Sequence, residues 1–234
     1  MIKMKEMRNK NLVTMRRSDV PGAGIHLREA DGEKPGRTIT GYAILFNTPS
    51  EPMYSDEEEE IREVIAPSAV TQELLDGSDI KFTMYHDRHT LLGRSNKGSG
   101  TLKYYIDEKG VGFELELPDS PNGDEALELV KRGDISGCSF AFSTRYYDPD
   151  YVDREVKHVS GRAEVTYRVK VITGIYDFTL TDNPAYTDTS VETRDFVNSL
   201  RSAGEDPQLS PGAEAREQIR EMREAAGRKI RYNQ

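Results

Sequence analysis

The run KRGDISGCSFAF over residues 131–142 constrains this chain more than any other stretch. A charged helix end stops at Gly133, and a strand begins near Ile135. Strand side chains alternate between faces. Ser136, Cys138, Phe140 and Phe142 therefore share one face, and Gly137, Ser139, Ala141 and Ser143 share the other. The first face is bulky and reads as core. The second is nearly bare, with Ser139 between Gly137 and Ala141. A hydroxyl flanked by small residues can be reached by another polypeptide backbone, as a nucleophile acting on peptides requires. An ordinary solvent-facing strand serine carries the same local signature.

The 234 residues suffice for one domain with a core, plus tails. Hydrophobic residues make up 35% and charged residues 31%, so the reading is a moderate folded domain, residues 25–195, flanked by solvated arms. The arms are a basic stretch at 1–24 and a linker with a charged helix at 196–234. A net charge of −9 argues against a general nucleic-acid binder. One cysteine, Cys138, excludes an internal disulfide and fits a reducing compartment. No apolar run is long enough to span a bilayer, and residues 1–17 lack the apolar segment of a signal peptide.

Patterning supplies the elements. Strands are expected at 24–29, 37–46, 61–65, 80–86, 101–106, 111–117, 163–172 and 174–180, with a hairpin through Asp107-Glu108-Lys109-Gly110. Pro67 opens a helix to about Leu75. A second helix runs from Asn122, its expected cap, to Arg132. Residues 145–162 read as a polar, tyrosine-rich excursion. The acidic run 56–60 reads as a solvated loop.

Four histidines are present: His26, His86, His89 and His158. His86 closes the apolar row Ile80, Phe82, Met84 at a strand end, which makes it the favoured general base; a core histidine bonded to backbone fits equally. A serine–histidine pair needs a third group to orient the ring. Asp177 is the candidate, set in an apolar strand between Ile175 and Thr179, where a carboxylate needs a partner. Its bland alternative is a structural salt bridge, and Asp87 is the fallback. Cys138 is a rival nucleophile on the bulky face. Arg94 is a weak candidate for stabilising an oxyanion, and pairing with a surface acid fits it equally. No metal-ligand spacing, phosphate loop or cofactor motif is found.

Six segments then occur in one order: GYAILFNTPS, IREVIAPSAV, MYHDRHTLLGR, a hairpin ending in ELPDS, RGDISGCSFAF and IYDFTLTDNPAYTDT. Over residues 39–193 this order resembles the prohead (capsid maturation) serine proteases of tailed bacteriophages, which are related in fold to the herpesvirus assemblins. The resemblance implies an α+β fold, a small and mostly antiparallel β-barrel surrounded by a few helices. It implies Ser139 as nucleophile, His86 as base and Asp177 as the acidic residue, where relatives commonly carry glutamate. It implies a serine endopeptidase acting on scaffolding and major capsid protein inside the prohead, in the host cytoplasm, with self-processing. The assemblin relatives suggest a homodimer; no membrane, nucleic acid or cofactor is implied. Departures are Cys138 for methionine, Ala141 for glycine, and Pro67-Ser68-Ala69-Val70 for proline–glycine–alanine–phenylalanine. The competing readings are a non-catalytic capsid or scaffold interaction module on the same barrel, and a cysteine hydrolase using Cys138.

Overall fold

The computed structural model describes residues 12–18, 24–28 and 36–182, all within the compact unit Met1–Asp188. The expected linker and charged helix beyond 195, and the NPAYTDT segment after Asp182, lie outside the described residues.

Fourteen strands are described: β1 (Leu12–Ser18), β2 (His26–Leu27), β3 (Thr38–Leu45), β4 (Tyr54–Ser55), β5 (Glu59–Ile65), β6 (Asp79–Met84), β7 (Asp87–Asn96), β8 (Ser99–Gly100), β9 (Leu102–Ile106), β10 (Gly110–Glu116), β11 (Ile135–Thr144), β12 (Val152–Val159), β13 (Arg162–Val169) and β14 (Gly174–Asp182). Two helices accompany them, α1 (Gln72–Gly77) and α2 (Pro121–Arg132). They form a six-stranded sheet in the order β1-β11-β14-β6-β7-β8 and two four-stranded sheets, β2-β3-β10-β9 and β12-β13-β5-β4.

The barrel implied by the resemblance is therefore not what the ladders build. None of these sheets closes on itself: β1 ends the large sheet on one side and β8 on the other. Pairing is mostly antiparallel, as expected; β14 joins β6, and β13 joins β5, in parallel. The mainly-β α+β class stands.

Other expectations shift for local reasons. The helix from Pro67 breaks into a 3-10 turn, Pro67–Ala69, and α1; between them Thr71 turns extended and its side chain accepts the Leu74 N–H at 3.1 Å. Ser120, not Asn122, caps α2, with Oγ accepting the Gly123 N–H at 3.3 Å. Gly133 ends α2 in the left-handed region, φ 78°, where glycine is the least strained residue. The excursion at 145–162 contains β12, whose exposed polar residues hide the strand period. The basic arm contains β1, paired along its whole length with β11.

Aromatic and branched residues fill the interior. Phe82, Phe113, Phe142 and Phe178 are fully buried, with the Phe82 and Phe113 rings 4.8 Å apart. Each such side chain contributes about 1.5–3 kcal/mol by leaving water. The Cys138–Phe140–Phe142 face of β11 lies in this core as expected. Its other face is covered too: Ser139 and Ser143 are each 1% exposed. Small side chains there mark close packing rather than an open surface.

Candidate active site

Three adjacent strands set up the site. In the β11–β14 ladder Ser139 faces Thr179 and Ala141 faces Asp177. In the β14–β6 ladder Asp177 faces Lys81 and Thr179 faces Thr83. Directly opposed residues project to the same side of a sheet. Ser139, Asp177, Thr179 and Thr83 thus share one face, while Phe140, Phe178 and Phe82 share the other.

A β-bulge lies beside the carboxylate. The register passes from Ala141↔Asp177 to Phe142↔Ile175, leaving Tyr176 as the extra residue. Ile175 therefore joins Phe142 on the core side, and does not flank Asp177 as plain alternation implies. Were Tyr176 paired regularly with Phe142, Asp177 and Ile175 would lie on one face.

His86 reaches the same face by a turn. Strand β6 ends at Met84, which pairs with Asp87, so Tyr85 and His86 are a two-residue hairpin link. Both take left-handed backbone, φ 55° and 58°. That geometry belongs to the tight hairpin turn favouring asparagine and glycine, and ordinary residues in it cost about 1–3 kcal/mol each. Two bonds hold it: Tyr85 N–H donates to Leu180 O at 3.0 Å, and His86 N–H donates to Thr179 Oγ1 at 2.9 Å. The expected continuation of the Ile80–Phe82–Met84 row is thus overturned. The turn carries the imidazole to the opposite face.

There the ring lies between the other two groups. His86 Nε2 is 2.9 Å from Ser139 Oγ, and Nδ1 is 2.8 Å from Asp177 Oδ1. An ionised carboxylate only accepts, so Nδ1 carries the proton it donates to Asp177. Nε2 is then the bare nitrogen, placed to accept the Ser139 hydroxyl proton. The His86 and Asp177 side chains are each 18% exposed. This partial burial limits screening by water.

Arg94 is not part of the line. Both of its side-chain bonds go to Asp79, Nε to Oδ1 at 2.6 Å and Nη2 to Oδ2 at 2.8 Å. Arg94 first, and then Lys81, holds the Asp79 carboxyl well below the usual carboxylate range. Asp87 is exposed and caps its own loop, accepting the His89 N–H at 2.8 Å. His26, His89 and His158 are exposed. Cys138 is fully buried on the phenylalanine face, its thiol turned to Ser139 O at 3.5 Å. Among the described residues no three histidine, cysteine or acidic side chains are grouped to hold a metal ion.

Sequence reading missed two residues. Thr179 Oγ1 accepts both the His86 N–H and the Thr83 hydroxyl, the latter at 3.0 Å, and both threonines are buried. Their signal was one threonine following the buried phenylalanine in each of two strands, IKFTM and YDFTL.

A hydroxyl, an imidazole and a carboxylate in one hydrogen-bonded line form the working arrangement of serine hydrolases. Residues 24–202 match the caudovirus prohead serine protease family, and the chain belongs to that family. Among solved structures, the bacteriophage T4 capsid assembly protease, gp21, is similar over 72% of this chain and 98% of that one, at 11% identity and a TM-score of 0.37. A likeness that low carries no argument about the site. No curated protein matches the chain.

Proposed function

We propose that this chain is a serine endopeptidase that cleaves scaffolding protein, or a scaffolding segment of the major capsid protein, inside the phage prohead, and that it also processes itself. Family membership supports the setting. The 2.9 Å and 2.8 Å contacts joining Ser139, His86 and Asp177 carry the residue roles.

In this reading Ser139 Oγ attacks the scissile carbonyl carbon while His86 Nε2 takes the hydroxyl proton. The carbonyl π electrons move to oxygen, and Asp177 stabilises the imidazolium through Nδ1–H. Collapse breaks the C–N bond, and His86 returns the proton to the leaving amine. Water then repeats the sequence on the acyl-enzyme and frees Ser139. The step requires the neutral ring, because a protonated one cannot act as base.

Co-expression with the phage's own capsid protein tests the proposal. Wild type yields shortened capsid chains. Ser139→Ala, folded by circular dichroism, yields none. Undiminished cleavage by that variant removes Ser139 from the mechanism and favours Cys138. Absence of cleavage by both proteins, with Ser139 inert to a fluorophosphonate, favours the non-catalytic module.

A further inference from the structure

The nucleophile strand has a second neighbour. On the side away from β14, β1 runs antiparallel to β11, with Arg17 opposite Ser139 and Ser18 opposite Cys138. These seven residues lie outside the span 24–202 that matches the family. Without them, β11 is an edge strand with free backbone donors and acceptors beside Ser139. An extended polypeptide adds to such an edge through main-chain hydrogen bonds.

Charge favours this occupant. Residues 1–18 contain six lysines and arginines and one glutamate, in a chain of net charge −9. At the turn next to His86, the Tyr85 phenol is pushed up by burial and then by the nearby carboxylates of Asp182, Glu125 and Asp134. Strand β1 itself carries Arg16 and Arg17. Ser139 is 1% exposed with the arm in place.

We propose that residues 12–18 occupy, in cis, the β11 edge on which a substrate backbone pairs, so that the arm must leave before a peptide reaches Ser139. The inference rests on the peptidase reading above. An arm docked in nine molecules of ten lowers the apparent affinity for peptide about tenfold.

The test compares the full-length wild type with full-length Met15→Pro/Arg16→Pro. Two adjacent prolines remove an N–H facing β11 whichever way the strand is phased. Full-length Arg16→Glu/Arg17→Glu is the second variant, which weakens docking by charge alone. Each is treated with a small ethyl fluorophosphonate, to label Ser139, and with a proteome-derived peptide mixture read by mass spectrometry. The expected result is labelling in all three, with peptides cut about tenfold faster by the proline variant and several-fold faster by the glutamate variant. Labelling in all with equal or slower peptide cleavage in both variants overturns the inference and leaves the peptidase reading standing. No labelling and no cleavage in any protein overturns both.

Discussion

The main-chain N–H of His86 donates to the Thr179 hydroxyl at 2.9 Å, across 93 positions of sequence. The same oxygen accepts from Thr83 at 3.0 Å. A strained turn and a strand carrying the carboxylate are thereby fixed to each other. In the proposed mechanism Thr179 is a positioning residue: it touches the backbone of the base, not the reacting atoms.

Thr179→Val leaves two donors without their acceptor, the His86 N–H and the Thr83 hydroxyl. Each orphaned buried group costs about 1–3 kcal/mol. The expected outcome is a lower urea midpoint and a fall in kcat larger than any change in KM. Thr179→Ser keeps the oxygen and restores most of both. Equal activity in the valine and serine variants would show that this bond does not position the ring.

Asp177→Asn preserves shape but offers an N–H where the ring needs an acceptor. The imidazole then turns its bare nitrogen toward residue 177 and its N–H toward Ser139. A kcat loss of about 10⁴-fold with an almost unchanged melting temperature is expected, following the serine-protease precedent. It is measured by single-turnover cleavage of the proposed capsid substrate. A loss under tenfold would assign Asp177 to structure alone.

Tyr85 is 51% exposed and holds φ 55°. Tyr85→Asn suits that backbone better, and its packing loss is small. Stability should rise by about 0.5–1 kcal/mol, read as a higher urea midpoint. A decrease would mean that the exposed ring contributes contacts outweighing the backbone strain.

Burial first of all raises the Tyr167 phenol above its ordinary value, and the ring packs edge-on against Tyr146 at 6.2 Å. The folded state thus favours the neutral phenol. Its contribution is complete below the unfolded value of about 10 and is lost as pH rises through the folded one. Urea midpoints should drop above about pH 10, and Tyr167→Phe should flatten that decline. An identical alkaline limb in the variant would assign it to other groups.

The three residues that the structure joins in one hydrogen-bonded line were legible because strand alternation and motif order both pointed to Ser139, His86 and Asp177. Their placement was not. Alternation set His86 on the Phe82 face, and only two left-handed residues in succession, neither of them glycine, reverse that. It set Ile175 beside Asp177, and one extra residue in β14 undoes that. A period-two pattern carries no information about where a strand stops or bulges. Arg94 had two readings, an oxyanion role and a pairing with a surface acid, and the structure shows the second: its partner Asp79 is 15 residues away, opposite in charge and on the neighbouring strand, and local sequence does not rank it above the first. Strand β12 escaped because Val152–Val159 is mostly exposed, so that its side chains show no apolar rhythm.

The parallel joint between β14 and β6 has a consequence for timing. The contact from ring to carboxylate spans 91 positions, whereas that from ring to hydroxyl spans 53. On a ribosome the hairpin and β11 emerge well before the strand that completes them. Contacts so distant in sequence form late. In the proposed mechanism the unfinished polypeptide therefore lacks its third group through most of synthesis, and cleavage of neighbouring nascent chains waits until the last strand of the sheet has docked.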